Sequence, residues 1–208
     1  MRDDPSSASG PPGRNGPWTV HATETSFENP WIRVETSQIT HPDGKPGIYG
    51  VVRYANLATG VLPIDAEGHT WLVGQHRFPF NAYSWELPEG GGRLDLDPRI
   101  SAARELEEEA GIIAASWHQL GIWHLSNSVS DERAFGYLAW DLEPGTAAPE
   151  SSEELSLQRV PFASLLERCL SGDIPDAFTV LMVFSAREQA RAGLLPDEIA
   201  LAILDGRS

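Results

Sequence analysis

The chain has 208 residues, 41% of them hydrophobic and including seven Trp and seven Phe, which supports a packed core and excludes a disordered chain. Thirty acidic residues against fifteen basic ones give a formal charge of −15 with no lysine-arginine block, which argues against a broad basic surface for a nucleic-acid polymer or an anionic membrane. Cys169 is the only cysteine, so no intramolecular disulfide can form.

In chain order, "MRDDPSSASGPPGRNGP" lacks the apolar core of a signal peptide and reads as a flexible tail over residues 1–17. From Trp18 to about Ala55 the pattern predicts three short strands, punctuated by "ENP" at 28–30 and "HPDGKPG" at 41–47. Residues 59–63 and 70–75 are expected to form a strand pair around the turn "DAEGH", and a short strand at 83–87 runs into "PEGGGRLDLDP". Residues 98–110 read as a helix: Asp97 can cap it, Pro98 sits at its first position, and Gly111 can close it in a left-handed conformation. "SWHQLGIW" (116–123), "AFGYLAWDL" (134–142) and "LSLQRV" (155–160) are strand-like; helices follow at 162–172 and 176–193 and from about Pro196. Cys169, in "LLERCL", shares helical spacing with Leu165, Leu166 and Leu170 and reads as a buried structural thiol. Strands on both sides of an embedded helix, with helices at the end, predict mixed α/β layers. The longest apolar run, "AFTVLMVF" (177–184), is too short for a bilayer, so a soluble cytoplasmic protein is expected.

"RELEEEAGI" (104–112) raises the chemical question. On a helix Glu105, Glu108 and Glu109 project together and Glu107 points elsewhere. Like charges at that spacing cost roughly a few tenths of a kcal/mol per pair, and near a helix C-terminus they also oppose the macrodipole. Arg104 offsets part of this. The string alone admits two readings, a divalent-cation site built of hard oxygen ligands or a solvated acidic face. Upstream, "WELPEGGG" (85–92) places a strand end and a glycine triplet just before the helix, where backbone can approach a phosphate or metal.

Taken together, "ELPEGGGRLDLDPRISAARELEEEAGI" (86–112) resembles the Nudix box, G-x5-E-x7-R-E-U-x-E-E-x-G-U with U aliphatic. Gly90, Arg104, Glu105, Leu106, Glu108, Glu109, Gly111 and Ile112 fall in register; the first glutamate of the pattern falls on Leu96, which Asp95 and Asp97 flank and for which an altered loop could supply a carboxylate. "VGQHRFPFNAYSWELPEG" (73–90), "SDERAFGYLA" (130–139) and 153–180 are similar to segments of the family's ADP-ribose pyrophosphatase branch, with Glu89 where alanine is usual and without the Pro-Gly that usually precedes "SDE".

The resemblance implies an α/β/α sandwich with a mixed sheet over residues 58–208 and a small N-terminal antiparallel sheet over 18–57 that serves a homodimer contact. It implies Mg²⁺ or Mn²⁺ as cofactor, with Glu105 and Glu109 as principal ligands, the carbonyl of Glu89 as a backbone ligand, and Glu108 bonding Arg104 or joining a second metal. Arg77 is placed against substrate phosphate. Glu86 either reaches the nucleotide or makes a structural hydrogen bond. The catalytic base is expected from "PESSEEL" (149–155), Glu153 first and Glu150 second, with Asp131 and Glu132 as an alternative base or substrate contact. The expected reaction is hydrolysis of a nucleoside diphosphate linked to another group, ADP-ribose to AMP and ribose 5-phosphate in the first instance. GDP-mannose or another nucleotide sugar is the alternative within that chemistry, and a non-catalytic sensing module the alternative outside it.

Overall fold

The computed structural model describes residues 13–148 and 154–205. Two compact units emerge: one joins the chain up to Asn56 with the loop Ser126–Glu132, the other holds Leu57–Leu125 and the chain from Arg133 onward.

The first unit is an antiparallel sheet of β1 (Gly13–Asn15), β2 (Trp18–Glu28), β3 (Ile32–Thr40) and β4 (Pro46–Tyr54), in that spatial order. Hydroxyl pairs tie neighbouring strands, Thr23 to Ser37 at 2.8 Å and Ser26 to Thr36 at 2.7 Å. Of its described hydrophobic side chains only Ile39 is buried, while Phe27, Trp31 and Ile48 are exposed. Loop 126–132 is fastened to β4: the Val52 N–H donates to the Val129 carbonyl at 2.8 Å, and Asp131 accepts from the Tyr54 N–H at 3.0 Å and from Arg53 at 3.3 Å.

The second unit contains two sheets. β5 (Asn56–Pro63), β8 (Glu89–Arg93), β9 (Ile112–Trp123) and β10 (Ala134–Pro144) form a mixed sheet in the order β8-β5-β10-β9, with β10 parallel to β5 and antiparallel to β9. β6 (His69–Arg77), β7 (Ala82–Glu86) and β11 (Ser156–Pro161) form an antiparallel sheet with β6 in the middle. The helices are α1 (Pro98–Ala110), α2 (Phe162–Ser171), α3 (Ala177–Arg191) and α4 (Asp197–Leu204).

Alternation along the central strands builds the layers. Val61 of β5 with Tyr137 and Ala139 of β10 pack on Ala102, Leu106 and Ala110 of α1. Their neighbours Leu62 and Leu138 turn the other way, into a core shared with Phe162, Leu165, Phe178, Met182 and Ile199 of the later helices. The mixed sheet therefore lies between α1 and the C-terminal helices, the α/β/α sandwich expected. No described helix is long and apolar enough to cross a membrane.

Two expectations are corrected. The segments around "DAEGH" do not pair with each other: β5 belongs to the mixed sheet and β6 to the antiparallel one. The glycine-rich run after β7 is a strand, β8, at the edge of the mixed sheet beside β5, although its residues carry no strand propensity of their own.

Candidate active site

The site is assembled on the turn between β7 and β8 and on the face of α1 beneath it. That turn is pinned from several sides. The Leu87 N–H donates to Thr179 Oγ1 of α3 at 2.9 Å, the Pro88 carbonyl accepts from the Val61 N–H at 2.9 Å, and the Gly90 carbonyl accepts from Thr59 Oγ1 at 3.3 Å. Helix α1 starts where Asp97 accepts from the Arg99 N–H at 2.9 Å and ends at Gly111, whose φ of 64° lies in the left-handed region.

The helix face and the turn meet closely. Glu109 Oε2 accepts from the Glu89 N–H at 3.0 Å. Gly90 lies so near Glu105 that a Cβ there would fall 2.3 Å from the carboxyl carbon, so only glycine leaves this carboxylate its place. Glu105 and Glu109 are 9% and 7% exposed, respectively, whereas Glu108 is half-buried. Glu107 packs against Gly145, away from the other three. Arg104 bonds Glu108, donates to Glu105 at 2.6 Å and donates to the Gly91 carbonyl at 3.0 Å. Burial alone would lower its pKa, but the two glutamates reverse that and keep the guanidinium firmly charged.

Behind the turn lies a second acidic group that surrounds one cation. Arg77, at the end of β6, aims Nε at both oxygens of Glu86 at 3.0 Å, and its Nη2 also bonds Glu86 and reaches Glu89 Oε1 at 3.4 Å. Glu86, Glu89 and Asp176 bring oxygens within 4.8 Å of one another. Burial works against ionised Glu86, yet the fork to Arg77 holds its carboxyl below the ordinary range. Burial pushes Glu89 well above that range, with Asp176 and Glu86 adding to the shift and Arg77 opposing it. Asp176, at the start of α3, is raised chiefly by burial although it accepts from the Thr179 N–H at 2.6 Å.

Of the residues singled out from the sequence, Glu86, Glu89, Glu105, Glu108 and Glu109 lie at this turn and on this helix, and Arg77 meets Glu86 and Glu89 from the end of β6. Glu86 is 3% exposed and turned onto Arg77. Asp131 is engaged by Arg53 and Tyr54, and Glu132, half-buried with its pKa raised by that burial, follows it in the same loop. Glu153 and Glu150 lie outside the described residues; the chain before them is described to Ala148, whose N–H donates to the Glu108 carbonyl at 2.9 Å. Neither neighbour of Leu96 supplies the carboxylate that the altered loop was expected to recover: Asp95 pairs with Arg93 at 2.7 Å, and Asp97 caps α1. Sequence reasoning missed Asp176, whose only legible signal was its position at the start of a helix. A cavity of about 630 Å³ elsewhere in the same unit, lined by Ile64, Asp65, Trp140, Asp141 and Glu198 among others, includes none of the predicted residues.

Hard carboxylate oxygens beside a turn with no Cβ in the way are a donor set suited to a divalent cation, and the neighbouring group of Glu86, Glu89 and Asp176 is the one at this turn, among the described residues, whose oxygens lie close enough together to hold one.

Comparison with known proteins bears on the family and the fold. Residues 55–178 match the NUDIX domain model, and residues 18–52 match the nucleoside diphosphate sugar hydrolase N-terminal domain. The ADP-ribose pyrophosphatase of Mycobacterium tuberculosis is 29% identical over 170 residues, 79% of this chain and 80% of that protein. That of Bacillus subtilis is 27% identical over 164 residues, covering 78% and 88%. The methanol dehydrogenase activator of Bacillus methanolicus is 28% identical over 163 residues, covering 77% and 88%. In fold, the crystal structure of an ADP compounds hydrolase superposes with a TM-score of 0.76 at 22% identity, covering 85% of this chain and 95% of that one. With more than half of its length matched by the NUDIX domain model, the chain belongs to the Nudix hydrolase family.

Proposed function

We propose that the protein hydrolyses the diphosphate of a nucleoside diphosphate linked to a second group, with ADP-ribose, cleaved to AMP and ribose 5-phosphate, as its first substrate. The observation that carries this reading is the junction of two parts on one turn: the carboxylate face of α1, held at Glu109 by the Glu89 N–H, and Arg77 fixed by Glu86 just behind it. The similarity to two ADP-ribose pyrophosphatases supports the choice of substrate.

In this reading Glu105, Glu109 and the Glu89 carbonyl hold Mg²⁺ or Mn²⁺, with Glu108 beside them and bonded to Arg104. An ion held there would supply charge neutralisation for the diphosphate and help to activate water. Arg77 binds a phosphate oxygen, which matters because a chain of net charge −15 otherwise repels an anion. A carboxylate from 149–155, Glu153 or Glu150, takes a proton from water as its oxygen bonds to phosphorus. The bond to the bridging oxygen breaks in line, and the departing phosphate keeps that oxygen.

A second reading, hydrolysis of GDP-mannose or another nucleotide sugar, is favoured by the match of the N-terminal sheet to the nucleoside diphosphate sugar hydrolase model. The same sheet supports a homodimer: it leaves Trp31 and Ile48 each 66% exposed, apolar surface that a second copy would cover. The test is a panel of ADP-ribose and nucleotide sugars with Mg²⁺ and a coupled phosphatase, run also in ¹⁸O water to locate the phosphorus attacked. Turnover led by ADP-ribose is expected. Tight binding without turnover of any compound refutes the hydrolase reading in favour of a sensor.

A further inference from the structure

The family resemblance carries alanine where this chain has Glu89, and the Glu89 backbone and side chain do different things. Its N–H donates to Glu109 on the metal-facing side. Its side chain, 13% exposed, runs the opposite way, and Oε1 meets Arg77 Nη2 at 3.4 Å. Arg77 is thereby held along one edge: Nε and Nη2 face carboxylates, and the Nη1 edge has no partner among the described residues, although the side chain is 38% exposed. Glu86 alone fixes the guanidinium through one fork. Glu89 adds a second acceptor off that axis, and two anchoring points limit rotation about the fork in a way that one does not.

We propose that the Glu89 side chain is a positioning residue for substrate binding, orienting Arg77 so that its free edge meets the substrate diphosphate. The inference rests on the phosphate role given to Arg77 above. It separates the two halves of Glu89: replacing the side chain keeps the backbone N–H that donates to Glu109, so the effect is expected chiefly on metal-free ADP binding. A residue that pre-orders one long side chain for a ligand is worth about three- to tenfold in affinity. Glutamine at 89 keeps an oxygen in the Oε1 position and retains the effect.

The test compares wild type, Glu89→Ala, Glu89→Gln and Arg77→Ala, with ADP as the diphosphate probe in EDTA by calorimetry. Kinetics with Mg²⁺ follow, on the panel compound that wild type turns over fastest. Glu89→Ala is expected to weaken ADP binding in EDTA by about three- to tenfold and to raise KM by more than it lowers kcat, and Glu89→Gln to restore the ADP affinity. Equal ADP affinity in Glu89→Ala and wild type overturns the proposal, as does a Glu89→Gln variant as weak as Glu89→Ala, or a fall in kcat and thermal midpoint with no change in KM. An Arg77→Ala variant that binds ADP like wild type removes the premise. A wild type that turns over nothing while these ADP affinities still differ strikes the hydrolase reading instead and leaves the positioning role standing.

Discussion

Gly90→Ala isolates the contact on which the α1 face depends. Gly90 has an ordinary φ, so alanine fits its backbone, and the only new atom is a Cβ 2.3 Å from Glu105 Cδ and 2.4 and 2.6 Å from its two oxygens. Carbon atoms in contact settle about 3.5 Å apart, so the carboxyl group must retreat by about 1.2 Å. Glu105 can do this by rotating, at about 0.5–1.5 kcal/mol for leaving its preferred rotamer. The loss of chain freedom in the unfolded state returns about 0.4–1 kcal/mol. The two nearly cancel, so the fold should survive. Activity should not: a displacement of about 1 Å in a catalytic constellation costs about 10²-fold. Gly111→Ala makes the contrast, since there φ is +64° and the added carbon meets Ala147 instead of a site residue. That variant should lose about 1–2 kcal/mol of stability and keep more of its turnover. Thermal unfolding and coupled phosphate release on both proteins decide it. If Gly90→Ala turns over within threefold of wild type, or melts as early as Gly111→Ala, the cradle argument is wrong.

Glu109→Gln removes one carboxylate from the same face and should lower kcat by about 10²-fold or more with unchanged circular dichroism; a near-normal rate in the purified variant refutes its assignment. Asp65 accepts from the Glu67 and His69 N–H groups at 2.9 Å and bonds Arg159. Burial acts to raise its pKa, but those bonds bring it below the ordinary carboxylate value. A depressed folded pKa means that its stabilisation is present above the unfolded pKa and disappears as pH falls through the folded one. Asp65→Ala should therefore cost about 1–3 kcal/mol in urea unfolding at pH 7, with the gap to wild type closing as pH falls below the ordinary carboxylate pKa. Burial pushes the Cys169 thiol up to about 11, leaving a thiolate fraction of about 0.001 at pH 8; iodoacetamide should label it only after unfolding, and rapid native labelling would contradict the buried placement.

How far the sequence reached depended on the range of the interaction. Helix α1 was legible to the residue because its ends are local chemistry: Asp97 bonds two residues ahead, and the Gly111 N–H returns to the Glu107 carbonyl at 2.9 Å. The turn at 65–69 was legible for the same reason, being closed by Asp65 and His69 backbone groups. Which sheets its two strands join was not, because β5 finds β10 and β6 finds β11, each more than seventy residues away. Strand β8 was hidden for a related reason: "EGGGR" has no preference for extension, and its place beside β5 imposes it.

The site divides along the same line. Spacing placed Glu105, Glu108 and Glu109 on one face, but nothing local announced that Asp176 would come to lie against Glu86 and Glu89. Position 96 shows the opposite case, a departure visible in the sequence whose consequence only the packing reveals. Leu96 is 41% exposed, and the loop uses its aspartates elsewhere, one on Arg93 and one on the start of α1. Arg104 has three acceptors without it: the Gly91 carbonyl, Glu105 and Glu108. The guanidinium is anchored by a carbonyl and two carboxylates with no contribution from the 93–97 loop. The α1 face is thus ordered from the β7–β8 turn rather than from the 93–97 loop, which is why the chain can carry leucine there and still present Glu105 and Glu109 side by side with the turn.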